Sequence, residues 1–373
     1  MKVKWRLEMG GKQLDYRLGM DLVAAPLKVG SNLYIISKYN SMMYKVDLDT
    51  YELHYLDKIG NTFRNMCIVE AMCKIGKYIY MLPRYSSCIN RLDINSDEIE
   101  LDEILKEDDV NSLNKISSAV VIDDNIYCFR ENGPEILRFD YRNNKVTVEQ
   151  LVRKNVNVNY YFISDVANIN EFIFAPLSEE STVIKYDTKS KKVEYIEFES
   201  EASLDGFIKV QAMKDSVYLI GNDGQIYGYH CQNNKKEVLS IDGLKALNGI
   251  VFEDMIIFLD KEKKHLYRYQ MQENRCKEIE FAEADQKLLE SINIRNCYFE
   301  IIEKDCGYMF FEAMSDYFYC DIYADGNIGE FHKISKENLI DEISCKDKPE
   351  KDILNENSFP FSLQYFLDLC KRQ

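Results

Sequence analysis

Apolar runs of strand length recur along the chain and alternate with short polar segments. The stretch from residue 68 to residue 101 shows the layout in one unit, in which two strongly apolar runs precede two alternating ones. The four segments are Ile68–Cys73, Tyr78–Leu82, Cys88–Asp93 and Glu98–Leu101. Gly76, between the first two, supplies the backbone freedom of a tight hairpin turn. The pattern predicts four antiparallel strands whose inner pair is the most apolar, as in a propeller blade.

The same unit repeats seven times. Each copy carries an aliphatic–aromatic pair in its second predicted strand, and the aromatic residues are Tyr34, Tyr80, Tyr127, Phe174, Tyr218, Phe258 and Phe310. The intervals between them are 46, 47, 47, 44, 40 and 52 residues. Regular spacing of this length is typical of repeat architectures. We therefore predict an all-β chain that forms a seven-bladed β-propeller of four-stranded antiparallel blades.

A second element recurs about a dozen residues after each aromatic anchor, where the third predicted strand ends in an acidic residue. It is regular in the first four units and degenerate later, with Asp47, Asp93, Asp140, Asp187 and Asp321 as its acidic members. An aspartate at this place can open a turn by accepting hydrogen bonds from the backbone. A metal ligand or a catalytic acid is the alternative, but recurrence in five of seven units favours the turn.

The two ends of the chain depart from the repeat. Residues 1–20 contain two alternating segments around Gly10-Gly11, and we expect this hairpin to close the ring by completing the last blade, so that the propeller spans residues 1–331. Residues 332–373 are predicted to form a short α-helical C-terminal tail, because Ser335–Ile343 and Phe361–Leu369 have apolar residues at helical spacing. Packing on the propeller is the favoured role of this tail, and docking onto a partner is the alternative.

Composition narrows the classes of partner. The 373 residues carry 63 acidic and 47 basic side chains, a formal charge of −16, which disfavours nucleic acids and anionic membranes as general partners. No apolar run reaches the length of a signal peptide or a transmembrane helix, and the eleven scattered cysteines are interpreted as reduced thiols. These features predict a cytoplasmic monomer. With four histidines and no CxxC pair, we expect no metal site and no other cofactor.

On the residues of its repeat, the chain resembles the kelch-like group of β-propellers. The matching elements are a turn followed by an aliphatic–aromatic strand, as in Gly30–Tyr34 and Gly76–Tyr80, and the later pairs Val46-Asp47, Leu92-Asp93 and Phe139-Asp140. The resemblance covers residues 22–331. It lacks the double glycine before the second strand and the blade tryptophan of kelch repeats. It implies a propeller and leaves the activity to be argued from a site.

Candidate binding residues fall in the loops that follow the second strands and in those that join successive blades. A cation follows the aromatic anchor in each of the first three units, and cations and tyrosines stand in the neighbouring loops. The candidates are Lys38, Tyr39, Arg64, Arg84, Tyr85, Arg130, Tyr160, Tyr161 and Arg295. Arginine presents a rigid fork to carboxylate or phosphate groups, and tyrosine offers a stacking surface with a polar tip. The alternative is that these are ordinary loop cations with local carboxylate partners.

These observations favour a non-enzymatic binding or scaffold propeller. We expect it to recognise a protein or peptide partner, through an anionic group, at the loop face around the central channel. The alternative is a carbohydrate- or small-anion-active enzyme at the channel mouth, with Glu70 and Glu300 as paired carboxylates. Neither a G-x-S-x-G elbow nor a phosphate-cradling G-x-x-x-x-G-K-[ST] loop is present in the sequence.

Overall fold

The chain forms a ring of seven four-stranded antiparallel sheets, which confirms the predicted seven-bladed β-propeller. In each sheet the four strands are consecutive in the chain and pair with their sequence neighbours. The structure is a computed structural model that describes residues 8–9, 12–13, 23–37, 42–59, 69–83, 89–102, 116–123, 125–130, 135–143, 145–150, 165–177, 180–198, 206–241, 243–339 and 342.

The first four blades contain strands of five to seven residues, apart from one three-residue strand that opens blade 4. Blade 1 consists of β3 (Val23–Val29), β4 (Asn32–Ser37), β5 (Met42–Asp47) and β6 (Glu52–Lys58). Blade 2 consists of β7 (Val69–Ile75), β8 (Tyr78–Pro83), β9 (Ile89–Asp93) and β10 (Glu98–Asp102). Blade 3 consists of β11 (Ile116–Ile122), β12 (Asn125–Arg130), β13 (Glu135–Asp140) and β14 (Lys145–Gln150). Blade 4 consists of β15 (Ala167–Ile169), β16 (Phe172–Pro176), β17 (Thr182–Asp187) and β18 (Val193–Glu197).

The last three blades keep the four-strand layout, and a short helix lies between blades 6 and 7. Blade 5 consists of β19 (Phe207–Met213), β20 (Ser216–Gly221), β21 (Ile226–His230) and β22 (Lys235–Leu239). Blade 6 consists of β23 (Ala246–Val251), β24 (Met255–Asp260), β25 (Leu266–Gln270) and β26 (Arg275–Glu278). Helix α1 (Glu283–Glu290), which the sequence analysis did not predict, leads into blade 7 with β27 (Ile292–Glu303), β28 (Cys306–Ala313), β29 (Asp316–Tyr323) and β30 (His332–Lys333).

The aromatic anchors hold the blades together from the middle of each second strand. All seven are buried, from Phe258 and Phe310 at 0 % exposure to Tyr218 at 9 %. Seven apolar clusters form the core, and each contains side chains from two neighbouring blades. Each face of a blade is thus covered by the next blade, which is why the ring has to close.

Four of the five repeated aspartates, namely Asp47, Asp93, Asp140 and Asp187, open turns as predicted. Asp321 does not, because it lies inside β29 and its carboxylate accepts hydrogen bonds from Lys28 and Tyr319. Oδ1 of Asp47 accepts hydrogen bonds from the backbone N–H groups of Asp49 and Thr50, at 2.8 and 3.2 Å. Asp187 makes the same pair of bonds and also accepts the Ser190 hydroxyl at 2.6 Å. These bonds satisfy the backbone of the turn between the third and fourth strands. In the hairpin turn before the second strand, Gly76 has a φ of +58°, which explains the glycine.

Two ends of the ring can be distinguished by their connections. The turn face carries the connections between first and second strands and between third and fourth strands. The loop face carries the connections between second and third strands and those between blades. At the loop-face end of the first strand, six of the seven blades show a β-bulge or register irregularity. The irregularity therefore recurs along the wall of the central channel, and the sequence pattern does not predict it.

The ring closes where the chain that follows β30 meets blade 1. Ser335 accepts a hydrogen bond from the Leu53 N–H at 3.0 Å and donates its own N–H to the Tyr51 carbonyl at 2.8 Å. Ile334 donates its N–H to the Tyr317 carbonyl of blade 7 at 2.9 Å. We call the described residues 334–339 and 342 the clasp, because they form hydrogen bonds with the last blade on one side and with the first blade on the other.

The clasp begins the predicted C-terminal tail. Leu339 is fully buried in the cluster between blades 7 and 1. Glu342 accepts hydrogen bonds from the Tyr55 N–H at 2.8 Å and pairs with His54 at 2.9 Å, and both Leu339 and Glu342 have helical backbone conformation. Residues 340, 341 and 343–373 lie outside the described residues, so the helical tail stays a prediction.

The N-terminal hairpin is described only in part. Glu8–Met9 (β1) and Lys12–Gln13 (β2) pair with each other in a separate two-stranded sheet. All four strands of blade 7 come from residues 292–333. The rest of residues 1–20 lies outside the described residues, and the proposed closure of the ring by this hairpin stays a prediction.

Candidate functional site

The first strands of the blades surround a central channel with a cavity of about 560 Å³. Every blade contributes to its lining, for example with Lys28, Met72, Ser118, Asp165, Lys209, Asn248 and Glu300 from blades 1 to 7 in turn. This volume falls in the ordinary range of small-molecule sites, about 300–1,000 Å³. The cavity is the central concave site of the ring.

Three charged side chains meet in this channel from different blades. The Lys209 Nζ lies 2.7 Å from Glu300 Oε1 and 3.4 Å from Asp165 Oδ2. Only 13 % of the Lys209 side chain is exposed. The Lys209 ammonium therefore pairs with two carboxylates. We call Lys209, Glu300 and Asp165 the channel triad, and its formal charge is −1.

Burial and neighbouring charges set the titration of the triad. Desolvation opposes the charged form of Lys209, but Glu300 and Asp165 outweigh it and raise the pKa of its ammonium above the ordinary value. Desolvation also raises the pKa of the Glu300 carboxyl. Lys209 lowers that pKa and Asp165 raises it, and the net shift is upward. Burial is thus the main cause of the upward shift in the pKa of Glu300, and the neighbouring Asp165 adds to it.

Strand register explains how residues distant in sequence come to one level of the channel. Ser118 pairs with Phe129 and Lys209 pairs with Ile220, each two residues beyond the aromatic anchor of its blade. In blade 4, Ala167 pairs with the anchor Phe174, and Asp165 lies two residues before Ala167. The three side chains belong to blades 3, 4 and 5 and occupy equivalent positions, so they form one tier around the wall.

A second polar group lies in the wall between blades 7 and 1. The Lys28 Nζ donates to the Tyr319 hydroxyl at 2.6 Å and lies 3.1 Å from Asp321 Oδ1, which also accepts the Tyr319 hydroxyl at 2.5 Å. Burial, and then Asp321, raises the pKa of Tyr319 far above its ordinary value. Here one cation faces one carboxylate, so the charges balance within the group.

The fold is that of known β-propellers. A structure of YCF48 bound to a D1 peptide has a TM-score of 0.58 at 11 % identity, with 78 % of this chain and 91 % of that chain covered. The extracellular domain of a one-component system from B. thetaiotaomicron has a TM-score of 0.57 at 14 % identity, with 83 % of this chain covered. PorZ, a surface component of the type-IX secretion system of Porphyromonas gingivalis, has a TM-score of 0.54 at 10 % identity, with 84 % covered.

These similarities show the fold alone, because identities this low carry no site residues with them. The chain spans 38 % of the length of the B. thetaiotaomicron domain and 38 % of PorZ. No protein-family model and no curated protein matches the chain. The kelch-like resemblance therefore stays a prediction, while the propeller is established.

Seven of the nine candidate loop residues lie outside the described residues: Lys38, Tyr39, Arg64, Arg84, Tyr85, Tyr160 and Tyr161. Arg130 is described, at the loop-face end of β12. Its guanidinium pairs with Glu135, the first residue of β13, and its side chain is 20 % exposed. The Arg130–Glu135 ion pair links the adjacent ends of β12 and β13, so Glu135 is a local carboxylate partner of Arg130.

Arg295 lies in the largest irregularity of the channel wall. Between the pairs Ile292–Ala313 and Cys297–Phe311, four residues of β27 face the single residue Glu312. The side-chain amides of Asn293 and Asn296 both donate to Glu312 Oε2, at 2.7 and 2.6 Å. A bulge of this kind redirects side chains next to a site.

The bulge exposes a mixed surface at the loop face of blade 7. Arg295 is exposed, and within the described part of the chain its guanidinium has no carboxylate in ion-pair reach. Ile294 beside it is 43 % exposed. Met314 follows Ala313, the residue that pairs with Ile292, and is 64 % exposed. We call Ile294, Arg295 and Met314 the rim patch.

The enzyme alternative stays a prediction. Glu300 lines the channel as expected, and the side chain of Glu70 lies outside the described residues. Among the residues that the structure describes, no group of three histidine, cysteine or acidic side chains could hold a metal ion. The described residues also include no helix with the length and apolarity needed to span a membrane.

Sequence reasoning missed Lys28, Ser118, Asp165 and Lys209. A signal existed for the two lysines, since each interrupts the apolar first strand of its blade. Asp165 had no such signal, because it precedes a short strand. These four side chains belong to blades 1, 3, 4 and 5, and they line one channel with Glu300 of blade 7 only because the ring closes around one axis.

Proposed function

We propose that this chain is a non-enzymatic binding propeller, of the kelch-like kind, that recognises an acidic segment of a protein or peptide at its loop face. The rim patch carries this proposal. It combines an exposed arginine with two exposed apolar side chains at the loop face of blade 7. Anchors of this composition are typical of protein interfaces, in which arginine is enriched.

The charge of the patch supports an acidic partner. A guanidinium can form two parallel hydrogen bonds to one carboxylate, and such bonds are stronger than neutral ones. Large exposed apolar side chains in a cluster indicate a surface that another molecule covers. The YCF48 structure supports a peptide as the partner class, because that propeller is bound to one.

The remaining candidate residues belong to the same proposal. Lys38, Arg84 and their tyrosines follow second strands, and Arg64, Tyr160 and Tyr161 precede first strands, so the loops that contain them join strand ends at the loop face. They would extend the site from blade 7 to blades 1–4. A monomeric state and a cytoplasmic location complete the proposal, as expected from the sequence.

The test begins with a random peptide library displayed on phage and selected on the purified protein. We expect enrichment of peptides that combine an acidic residue with apolar neighbours. The Arg295→Glu variant should bind an enriched peptide at least about tenfold more weakly in fluorescence anisotropy, because a charged hydrogen bond becomes a repulsion.

Arg275→Glu is the matched control, since Arg275 is an exposed arginine on the outer strand β26. It should leave affinity within about twofold, and neither variant should change the melting temperature appreciably. Absence of any enriched peptide, or equal affinity of the wild type and Arg295→Glu, contradicts the proposal.

A further inference from the structure

Blade 5 departs from the repeat at two positions of its third strand. In blades 1 to 4 the last residue of that strand is the aspartate that opens the turn, and in blade 5 it is His230. Two residues earlier, blade 5 has Gly228 where the first four blades have a cation, namely Lys45, Arg91, Arg138 and Lys185. Four blades form without this histidine and this glycine, so the blade fold does not require them.

His230 links two side chains of the neighbouring strands. Its Nδ1 lies 2.8 Å from Ser216 Oγ, and its Nε2 lies 2.9 Å from Glu237 Oε1. An ionised carboxylate can only accept hydrogen bonds, so neutral His230 carries its proton on Nε2 and its Nδ1 accepts the Ser216 hydroxyl proton. A serine bonded to an imidazole that a carboxylate orients is the arrangement of an activated nucleophile.

Glu237 reaches His230 because Gly228 has no side chain. In blade 2 the glutamate of the fourth strand pairs with the cation directly opposite, Glu100 with Arg91 at 2.7 Å, and blade 4 does the same. Glu237 lies opposite Gly228 in the same way, and a Cβ atom at Gly228 would lie 3.1 Å from Glu237 Cγ. The carboxylate of Glu237 therefore lies against the strand and pairs with His230.

The Glu237 carboxyl is held in its ionised form. Burial opposes its ionisation, but Lys235 and His230 outweigh burial and lower the pKa of this carboxyl. Lys235 Nζ lies 2.8 Å from Oε2, so each carboxylate oxygen has its own partner. An ionised carboxylate at Nε2 fixes the tautomer of the imidazole and stabilises the imidazolium that forms when Nδ1 takes a proton.

The three residues lie where a reagent can reach them. Ser216 is half-buried and follows the exposed turn 214–215 at the turn face of blade 5. The side chains of His230 and Glu237 are 28 % and 29 % exposed. The buried Tyr218 is also hydrogen-bonded to Ser216 and bounds its hydroxyl on one side, which favours a short group over a bulky one.

We propose that Ser216 is a modification site, at which the serine oxygen accepts a short acyl group from an activated ester while His230 takes the hydroxyl proton. The Ser216 oxygen attacks the ester carbonyl carbon, and a C–O bond to serine forms as the C–O bond to the leaving alcohol breaks. His230 then passes the proton to the leaving oxygen. One acyl group is transferred to each chain. This site is separate from the rim patch and goes beyond the proposed function.

The test exposes the purified full chain to p-nitrophenyl acetate and, separately, to an alkyl fluorophosphonate, which reacts with activated serines. Peptide mapping by mass spectrometry then locates the added groups. Ser291, whose hydroxyl donates to a backbone carbonyl, is the internal reference. We expect Ser216 to be acylated at least about a hundredfold faster than Ser291, because general-base catalysis contributes a factor of that order.

Two variants separate activation from mere accessibility. His230→Gln removes the base and should slow acylation of Ser216 about a hundredfold. Gly228→Lys restores the cation of the other blades and should draw Glu237 away from His230, which slows acylation at least about tenfold while the blade keeps the ion pair of the repeat. His265→Gln, at a histidine bonded to Glu278 in blade 6, is the matched control and should leave acylation of Ser216 unchanged.

Thermal unfolding monitored by circular dichroism shows which variants fold, and Gly228→Lys decides if His230→Gln does not. Acylation of Ser216 no faster than that of Ser291 overturns the proposal. Equal rates in the wild type and in the folded variants at residues 228 and 230 also overturn it, because they would show that the hydroxyl reacts without help from His230.

Discussion

Carboxylates occupy two regions of this propeller and serve opposite purposes. On the turn face, Asp140 and Asp187 accept hydrogen bonds from the backbone of their own turns, and their pKa values are lowered, first by side-chain and then by backbone bonds. In the channel, Glu300 contacts a lysine from another blade, and desolvation raises its carboxyl pKa. Carboxylates that open the repeated turns therefore shape the fold, and those in the channel wall, including the repeat member Asp321, pair with lysines of other blades.

The largest expected effect follows from removing the cation of the channel triad. Lys209→Met leaves Asp165 and Glu300 without their ammonium. Breaking a fully buried ion pair typically costs about 3–5 kcal/mol, and the cost here should be smaller because the two carboxylates are 30 % and 38 % exposed. We expect that loss in the free energy of unfolding, measured by urea denaturation at neutral pH.

The loss should shrink at lower pH, because protonation neutralises the two carboxylates. Lys235→Met, on the exposed outer strand β22, serves as the control and should have little effect. A Lys209→Met variant as stable as the wild type would show that the triad carries no coupling between the blades.

A smaller effect is expected on the turn face. Asp187→Ala removes the acceptor of the Lys189 and Ser190 backbone N–H groups and of the Ser190 hydroxyl. The melting temperature should fall measurably, but by less than in Lys209→Met, because water can replace the lost bonds at an exposed turn. Ser190→Ala removes only the hydroxyl bond and should fall between the wild type and Asp187→Ala.

The pH dependence of stability should have opposite signs in the two regions. Asp140 and Asp187 have lowered pKa values, so their contribution is fully present above the ordinary aspartate pKa and is lost as pH falls through the folded-state value. Glu300 has a raised pKa, so its ionisation reduces stability as pH rises from the ordinary glutamate value to the folded-state value.

Urea denaturation across acidic pH separates these contributions. Asp187→Ala should flatten the loss of stability at the acidic end, and Glu300→Gln should flatten the decline at the higher end of this range. If both variants show the same pH profile, the carboxylates of the two regions do not differ in how their ionisation affects stability.

The smallest expected effect belongs to the loop face. Arg130→Met removes the ion pair with Glu135, which joins two neighbouring strands and is 20 % and 23 % exposed, and ion pairs that reach solvent typically contribute about 1 kcal/mol or less. Thermal unfolding should therefore change little. If peptide binding falls sharply in this variant, Arg130 is a contact residue as first predicted, and its pairing with Glu135 is secondary.

Much of the fold could be predicted because its determinants are local in sequence. The buried aromatic anchors and the turn aspartates depend on period-two patterning and on turn chemistry, both of which act over a few residues. The interval of 52 residues between Phe258 and Phe310 is the longest of the six, and the structure shows an insertion in that stretch, formed by α1 and the bulge of β27. Sequence periodicity alone did not say what form the insertion takes.

The candidate site could be predicted only in part, because its geometry is set by the whole ring. Glu300 was expected to face the channel and does so. Its partners Lys209 and Asp165 are 91 and 135 residues away in sequence, and only a closed ring brings them together. Arg295 was selected as a loop cation, but its exposure results from a bulge that no local pattern indicates.

The clasp has a consequence for the order in which this protein folds. The pairing of His54 with Glu342 joins residues 288 positions apart, and blade 1 gains its last backbone partner only when Ser335 is available. Contacts of such sequence separation are entropically costly to form and slow to appear. During synthesis, the first blade to leave the ribosome is thus the last to be completed, and its outer strand β6 lacks the partner that caps it until the seventh blade has formed.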